Sequence, residues 1–297
     1  MIQKKRAVVI GGAGFIGSYV VKELLNQQYD VLIIDNMSTG KKENVPHEAS
    51  LALEDIRNYE SLLTHIQEGD IIFLLAALVS VPISLEKPHE GHENNIRGMY
   101  NVFEVARVKH AFGVIFSSSA AVYGNKEGIV TEQDSISPET PYGLHKAIGE
   151  QMAKLYTECF NLPTVCLRYF NVYGKGHHEE GSYAPVIAKF LKLSKEQKPL
   201  TVTGDGSQTR DFVHVEDVAR ANILAIPLLS ETKNYCFNIC TGESFSIKKI
   251  AETIGGTIVY TEKRMEINSS LGDNTQAKNI LAWAPSKKLQ EGIRELL

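Results

Sequence analysis

Short runs of apolar residues recur along the first part of the chain, and segments with helical spacing separate them. The runs are Ala7-Val8-Val9-Ile10, Val31-Leu32-Ile33-Ile34, Leu51-Ala52-Leu53, Ile71-Ile72-Phe73-Leu74-Leu75, Val114-Ile115-Phe116 and Thr164-Val165-Cys166-Leu167-Arg168-Tyr169. Continuous apolar runs predict strands covered on both faces, as in parallel sheets. Between them, Ser18 to Asn26, Tyr59 to Ile66, Glu93 to Lys109 and the stretch from Tyr142 through Tyr156 carry helical periodicity. In the third, Ile96, Met99, Val102, Phe103 and Ala106 form the apolar stripe. Strands alternating with helices predict an α/β fold built on a doubly wound parallel sheet.

Beyond residue 170 the texture changes. Asn171 to Ser182 is glycine-rich and polar, Lys189 to Lys198 is lysine-rich, and Gly204 to Arg210 is a turn. These segments predict a smaller lobe that covers a ligand. Asp211 to Val215 and Tyr235 to Cys240 read as strands around a Val218 to Leu229 helix, so the chain is expected to rejoin the main sheet before leaving it again. Helices at Ile247 to Thr253, Thr275 to Ala282 and Lys287 to Leu297 then surround a strand at Thr257 to Tyr260, with Trp283 as a packing anchor. The predicted organisation is a main domain over 1–170, rejoined by about 211–243, and an interleaved C-terminal lobe over 171–210 and 244–297.

Composition narrows the function classes. With 297 residues, 43% hydrophobic and 22% charged, the chain is ordinary globular protein. A net charge of -4 gives no general reason to expect a nucleic acid or an anionic membrane as partner. Cys159, Cys166, Cys236 and Cys240 form no Cys-x-x-Cys pair and read as reduced core thiols. The basic start, Met1 to Arg6, leads into an apolar run cut short at Gly11 and Gly12, which predicts neither a signal peptide nor a membrane span and hence a cytoplasmic protein.

The chemistry is written in two places. Directly after the first strand comes Gly11-Gly12-Ala13-Gly14-Phe15-Ile16-Gly17, and directly after that a helix. Glycines let the backbone turn tightly and approach a pyrophosphate, which rests on the unpaired amides of a helix N-terminus. Asp35 ends the second strand, 18 positions beyond Gly17, where a carboxylate accepts hydrogen bonds from ribose hydroxyls and repels a 2'-phosphate; this favours NAD over NADP. The second place is Ser119 with Tyr142 and Lys146. The last two are four apart and therefore share one helix face. A phenol of pKa about 10 is a poor base, but a neighbouring ammonium favours the phenolate.

On these residues the chain resembles the extended short-chain dehydrogenase/reductase family, and within it the NAD-dependent nucleotide-sugar 4-epimerases of the UDP-glucose / UDP-N-acetylglucosamine type, which are isomerases. Gly11, Gly14 and Gly17 match the family's phosphate glycines, Asp35 its ribose carboxylate, and Asp55-Ile56 its adenine-contacting pair. Leu75-Ala76-Ala77 matches the strand end beneath the cofactor, Asn95 an asparagine near the pyrophosphate, and Tyr169 a tyrosine near the nicotinamide. Phe15, Ile16, Asn36 and Ser117 complete the implied cofactor set. Ser119, Tyr142 and Lys146 match the catalytic serine, tyrosine and lysine, the last two also touching the cofactor. Asn171, Arg210 and Arg264 would hold the UDP-sugar diphosphate, with Ser80 and Ser270 completing the substrate site. The resemblance further implies a homodimer built on the helices that begin near Glu93 and Tyr142.

The resemblance implies a mechanism. Tyr142, as a phenolate, takes the proton of the sugar 4-hydroxyl while C4 gives a hydride to NAD, and the transient 4-keto sugar turns over before the hydride returns. Ser119 bridges the oxygens and Lys146 lowers the tyrosine pKa. No metal is expected: consecutive side chains of His177-His178-Glu179-Glu180 point apart on a polar loop. Related dehydratases carry an Asp-Glu pair after the catalytic residue, and decarboxylases tend to place a Glu second; here stand Ala120 and Ala121. A UDP-glucuronate 4-epimerase, or a dehydratase or decarboxylase of the same family, remains the alternative. Small Ser270, matched to the position that sets the room for the sugar, predicts tolerance for N-acetyl groups, although its spacing from Arg264 is one residue shorter than the family pattern. Ala121 and Leu74 also depart from it, where threonine and histidine are common.

Overall fold

The computed structural model describes residues 5–79, 81–177, 185–262 and 268–297. The chain opens with β1 (Arg6–Ile10), α1 (Phe15–Asn26), β2 (Asp30–Asp35), β3 (Ser50–Leu53), α2 (Tyr59–His65) and β4 (Ile71–Leu74). Next come α3 (Val81–Glu86), α4 (Pro88–His92), a π-helical turn over Glu93–Gly98, α5 (Met99–Val108), β5 (Gly113–Ser119), α6 (Pro141–Phe160) and β6 (Thr164–Tyr169). The remainder holds β7 (Asn171–Tyr173), α7 (Val186–Lys195), β8 (Leu200–Thr203), β9 (Thr209–His214), α8 (Val215–Ala225) and β10 (Asn234–Ile239). It ends with β11 (Ser244–Ser246), α9 (Ile247–Ile254), β12 (Ile258–Thr261), α10 (Thr275–Leu281) and α11 (Leu289–Arg294).

Seven strands form one sheet in the order β10-β6-β5-β4-β1-β2-β3, and every pairing in it is parallel. This is the doubly wound α/β architecture that the apolar runs predict. Both faces are covered, which explains the missing alternation. On one side Val20, Val21 and Leu24 of α1 and Val218 of α8 pack on Val9, Ile33 and Phe73. On the other, Leu62 of α2, Val102 and Phe103 of α5 and Tyr156 of α6 pack on Ile34, Ile72 and Phe116. The strand order reverses direction between β1 and β4, and open sheets of this kind bind ligands outside the carboxyl ends of the strands at that point.

One expectation is corrected. Both strands after residue 210 were predicted in the main sheet, yet only β10 joins it, in register Cys236 with Cys166 of β6. β9 pairs with β7 and β11 in a separate three-stranded sheet. With β10 occupying the edge beyond β6, β9 is anchored through Asp211, whose buried carboxylate accepts from Thr241 N (2.8 Å), Thr241 Oγ1 (2.7 Å) and Gly242 N (2.9 Å). The small lobe has its own core of Phe190, Leu200, Val202, Phe212, Ile250 and Ile293. β8 and β12 pair parallel within it.

Cys166 and Cys240 are buried and Cys236 is half-buried, but Cys159 is exposed near the end of α6, so it is not the core thiol the pattern suggested. Among the described residues no helix is long and apolar enough to cross a membrane. The C-terminal segment is fixed to α8. Trp283 is fully buried with its Nε1 donating to Asp217 O at 2.8 Å, and the Asp217 carboxylate accepts from Ser286 N (3.0 Å), Ser286 Oγ (2.6 Å) and Lys287 N (3.2 Å). Replacing Trp283 by Ala is expected to lower the unfolding free energy by about 3–5 kcal/mol through the cavity it leaves, as measured by urea denaturation.

Candidate active site

The glycine segment leaves β1 at Gly11, whose N–H donates to Ile34 O at 2.8 Å, and enters α1 at Phe15 with Gly14 as its N-cap. Gly17 is required by close approach: a Cβ there would stand 2.1 Å from Gly11 O. The backbone therefore folds on itself with no side chain in the way, leaving the first amides of α1 for an anion. Leu75 N and Ala76 N both donate to Ile10 O, at 2.9 and 2.8 Å, which holds the end of β4 beside this turn.

Asp35 lies at the end of β2, 8% exposed, and its carboxylate accepts from Ala13 N (3.0 Å) and Met37 N (2.8 Å). Among the described residues it makes no ion pair, so a buried anion there retains capacity for hydroxyl donors. Asn36 donates to Asp55 at 2.9 Å, and Asp55 also binds the Arg57 guanidinium, which holds its carboxyl well below the usual range. Ile56 is buried beside them.

The catalytic candidates are delivered by β5 and α6. Ser119 is the last residue of β5, and its Oγ accepts from Ala121 N at 3.1 Å, which caps the short turn Ala120–Tyr123. Helix α6 starts at Pro141, with the Thr140 side chain accepting from Gly143 N at 3.1 Å. This puts Tyr142 in its first turn and Lys146 one turn later. The Ser119 hydroxyl stands close enough to the Tyr142 phenol to favour its ionised form. Lys146 is buried, donates to Ser117 O at 2.6 Å and lies 5.8 Å from the centre of the Tyr142 ring. Tyr142 and Lys146 thus share one helix face as their spacing predicts, and the end of β5 places Ser119 beside the phenol.

Their electrostatics differ from the sequence reading, in which the ammonium lowers the phenol. Burial pushes Tyr142 up to about 12, with the Ser119 hydrogen bond pulling back. Burial also brings Lys146 down to about 8, with Glu150 opposing. Low dielectric disfavours the charged form of each group.

Other predicted residues take less direct places. The Ser117 hydroxyl donates to Leu74 O at 2.9 Å, leaving its carbonyl for Lys146. The Tyr169 hydroxyl is hydrogen-bonded to Asn222 of α8. Asn95, in the π-helical turn, accepts from Leu78 N (2.7 Å) and donates to Leu78 O (3.0 Å), so it shapes the loop that follows Leu75-Ala76-Ala77. Asn171 donates to Asp211 O at 2.9 Å, one residue from Arg210, whose Nη1 donates to Thr209 O at 2.9 Å. Ser270 N donates to Thr209 O at 3.1 Å, so the segment carrying Ser270 runs beside the strand carrying Arg210. Ser80, Arg264 and His178 to Glu180 lie outside the described residues. The ring of His177 stacks on Phe15 with centroids 4.3 Å apart.

Sequence reasoning missed Glu150 and Arg168. Arg168 Nε and Nη2 reach Glu150 Oε1 and Oε2 at 2.8 and 2.7 Å, and Ser118 Oγ donates to Glu150 Oε1 at 2.5 Å, all within the core. The available signal was an arginine inside an apolar strand and a glutamate four residues beyond Lys146 on the same helix face.

Residues 7–240 match the family model described as the NAD dependent epimerase/dehydratase family. The chain belongs to that family. It is 32% identical to the UDP-glucose 4-epimerase of Lactobacillus helveticus over 305 residues, covering 94% of this chain and 92% of that protein. It superimposes with a TM-score of 0.93, at 34% identity and over 99% of this chain and 97% of the other, on a UDP-N-acetylglucosamine 4-epimerase from Methanobrevibacter ruminantium in complex with UDP-N-acetylmuramic acid. For the Thermus thermophilus UDP-glucose 4-epimerase in complex with NAD, the TM-score is 0.89 at 30% identity, over 97% and 96% of the two chains.

The residues present fit the cofactor that the family name specifies. The turn has no room for a side chain at Gly11 or Gly17, and the buried Asp35 carboxylate accepts from the backbone amides of Ala13 and Met37. Gly17→Ala is expected to force Gly11 and α1 apart and weaken NAD binding by at least about tenfold, the equivalent of one charge-assisted hydrogen bond. Titration calorimetry of the purified variant measures it.

Proposed function

We propose that this protein catalyses NAD-dependent 4-epimerisation of UDP-hexoses, interconverting UDP-glucose with UDP-galactose and UDP-N-acetylglucosamine with UDP-N-acetylgalactosamine through a transient 4-keto sugar. The observation that carries the proposal is the meeting of Ser119, Tyr142 and Lys146 beside two alanines. Elimination or decarboxylation would need a further acid or base at the sugar. Ala120 and Ala121 supply none, and the buried Glu150 carboxylate is occupied by Arg168 and Ser118. Relatives named as UDP-glucose and UDP-N-acetylglucosamine 4-epimerases support the same reading.

In this reading Gly11, Gly14 and Gly17, with the amides of Phe15 and Ile16, hold the pyrophosphate of NAD, Asp35 its adenosine ribose, and Asn36, Asp55 and Ile56 line the adenine end. Leu75, Ala76, Ala77, Asn95, Ser117 and Tyr169 form or support the remainder of the cofactor site. NAD, when bound, supplies a hydride acceptor for C4 and a positive charge. Tyr142 takes the proton of the 4-hydroxyl and later returns it to the 4-keto oxygen, while Ser119 hydrogen-bonds the phenol and the sugar oxygen. The Lys146 ammonium stabilises the phenolate that has to stand there before the sugar's proton is taken, and taking that proton converts it to the phenol. Asn171 and Arg210 hold the diphosphate, with Arg264 and Ser80 assigned to the substrate from sequence alone. Binding so far from C4 lets the keto sugar rotate without leaving.

Tyr100 on α5 and Leu144 and Leu155 on α6 are exposed, with Ile148 and Met152 half-buried between them. An apolar stripe on these two helices supports a homodimer formed through them. The free thiols Cys166, Cys236 and Cys240 support a cytoplasmic location for the protein.

Tyr142→Phe is expected to lower kcat by about 100- to 10,000-fold, the range of a lost general base, while NAD stays bound. Near-normal turnover would exclude the mechanism. Proton NMR of the sugar C4 configuration after incubation with UDP-glucose and with UDP-N-acetylglucosamine tests the substrate class. Conversion of UDP-glucuronate alone would favour the uronic-acid reading instead. Ser270→Tyr is expected to lower kcat/KM for the N-acetyl substrate by at least about tenfold more than for UDP-glucose. Equal losses on both would remove Ser270 from the sugar pocket.

A further inference from the structure

His145 is buried on α6 between Tyr142 and Lys146, and the mechanism above gives it no part. Its Nδ1 lies 3.4 Å from the amide nitrogen of Asn95. Which of the two atoms donates follows from a third group. Leu78 N–H is an obligatory donor and meets Asn95 at 2.7 Å, so that atom of the amide is the oxygen; the other, 3.0 Å from Leu78 O, is the nitrogen. The nitrogen carries only hydrogens, so His145 Nδ1 must accept. An imidazole that accepts through Nδ1 is neutral, with its proton on Nε2.

We infer that His145 is a positioning residue: its neutral ring, through Nδ1, orients Asn95, which grips both backbone groups of Leu78 and so ties the catalytic helix to the loop beneath the cofactor. A proton on Nδ1 would set N–H against N–H and release the tie. The π-helical turn over Glu93–Gly98 aims Asn95 inward, and such turns are frequent at functional sites. The charged and titratable groups facing His145 are Lys146 on its own helix and His92 of α4, whose ring centre is 6.3 Å away; Asn95 is neutral, and Gly91 of α4 packs on the ring edge. Burial first, then the neighbouring His92 and Lys146, holds the imidazole below its ordinary value of 6.5. The folded protein therefore binds this proton less readily than the unfolded chain, and the tie is complete above that pH and lost as pH falls below it.

The inference rests on the epimerase reading for its kinetic test, so the test has two arms. The first is the pH profile of epimerisation, each protein normalised to its own alkaline plateau. The wild type is expected to lose activity below pH 6.5 along a one-proton limb of about tenfold per unit. His145→Asn, whose side-chain oxygen can accept the same hydrogen bond without titrating, is expected to lack that limb. A limb unchanged in the variant overturns the inference. The second arm uses no turnover: nitrogen-15 NMR of histidine-labelled wild type with NAD added, the His145 signal being the one absent from the variant's spectrum. An unprotonated Nδ1 at neutral pH, with NAD affinity falling as that nitrogen titrates, supports the tie. A protonated Nδ1, or NAD affinity indifferent to the titration, refutes it. If neither protein epimerises any nucleotide sugar, the functional reading fails and the NMR arm still decides the role of His145.

Discussion

The catalytic geometry depends on the buried pair of Glu150 and Arg168. A carboxylate and a guanidinium taken out of water each lose several kcal/mol of hydration, and only close, fully hydrogen-bonded geometry offsets that loss. Here the pair is bidentate, Ser118 adds a third donor, and Arg168 continues to the Tyr123 hydroxyl at 2.7 Å. One side chain comes from α6, one from β6 and one from β5, so a slip of any element would leave a charge unpaired in the core. Ser118 lies between Ser117, whose carbonyl holds Lys146, and Ser119, which meets Tyr142. The bond from Ser118 to Glu150 thus holds α6 to the stretch of β5 that carries both neighbours. The helix reaches the sheet closely enough because Gly149 has no side chain: a Cβ there would stand 2.4 Å from the Phe116 ring.

Burial weakens the charged form of both groups in the site. The phenol is pushed up to about 12 and the ammonium brought down to about 8, so both shifts act toward neutrality. Glu150 opposes the loss of charge on the lysine, so the carboxylate that anchors the helix to Arg168 also favours the ammonium form of Lys146.

Much of the fold was legible because strands buried on both faces read as unbroken apolar runs, and each of β1, β2, β4, β5 and β6 holds one. The placement of β9 was not. Its apolar residues, Phe212 and Val213, would suit either sheet, and the deciding group is the buried Asp211 carboxylate, which composition assigns to the surface. The same bias hid Glu150 and Arg168, since charged side chains belong inside only when paired, and the pairing joins residues 18 apart through the fold. The glycine turn and the Tyr142–Lys146 spacing were readable because their geometry is local to one turn or one helix. The π-helical turn was hidden for the opposite reason: the helical periodicity of Glu93 to Lys109 continues through it, and only the inward aim of Asn95 reveals the extra residue.

Interleaving the two lobes has a mechanical consequence. The chain leaves the main sheet at β6–β7, rejoins it at β9–α8, leaves after β10, returns at α10 and leaves again for α11. Ala277 and Leu281 of α10 pack with Trp283 in the main core rather than in the small lobe expected for 244–297. Asp211 of β9 accepts the amides of Thr241 and Gly242 beyond β10. Arg210 and Asn171 stand at this joint, Asn171 bonded to the carbonyl of Asp211 itself. A diphosphate held there is held by the seam between lobes, where several connections resist displacement. Ser270 approaches the same strand from the small lobe, through the bond to Thr209 O. In the proposed reading the anchor of the diphosphate is built from the crossings, and the segment carrying Ser270 bounds the space for the sugar on one side. A keto sugar that must rotate while its diphosphate stays still needs this division between a fixed seam and a separately shaped wall.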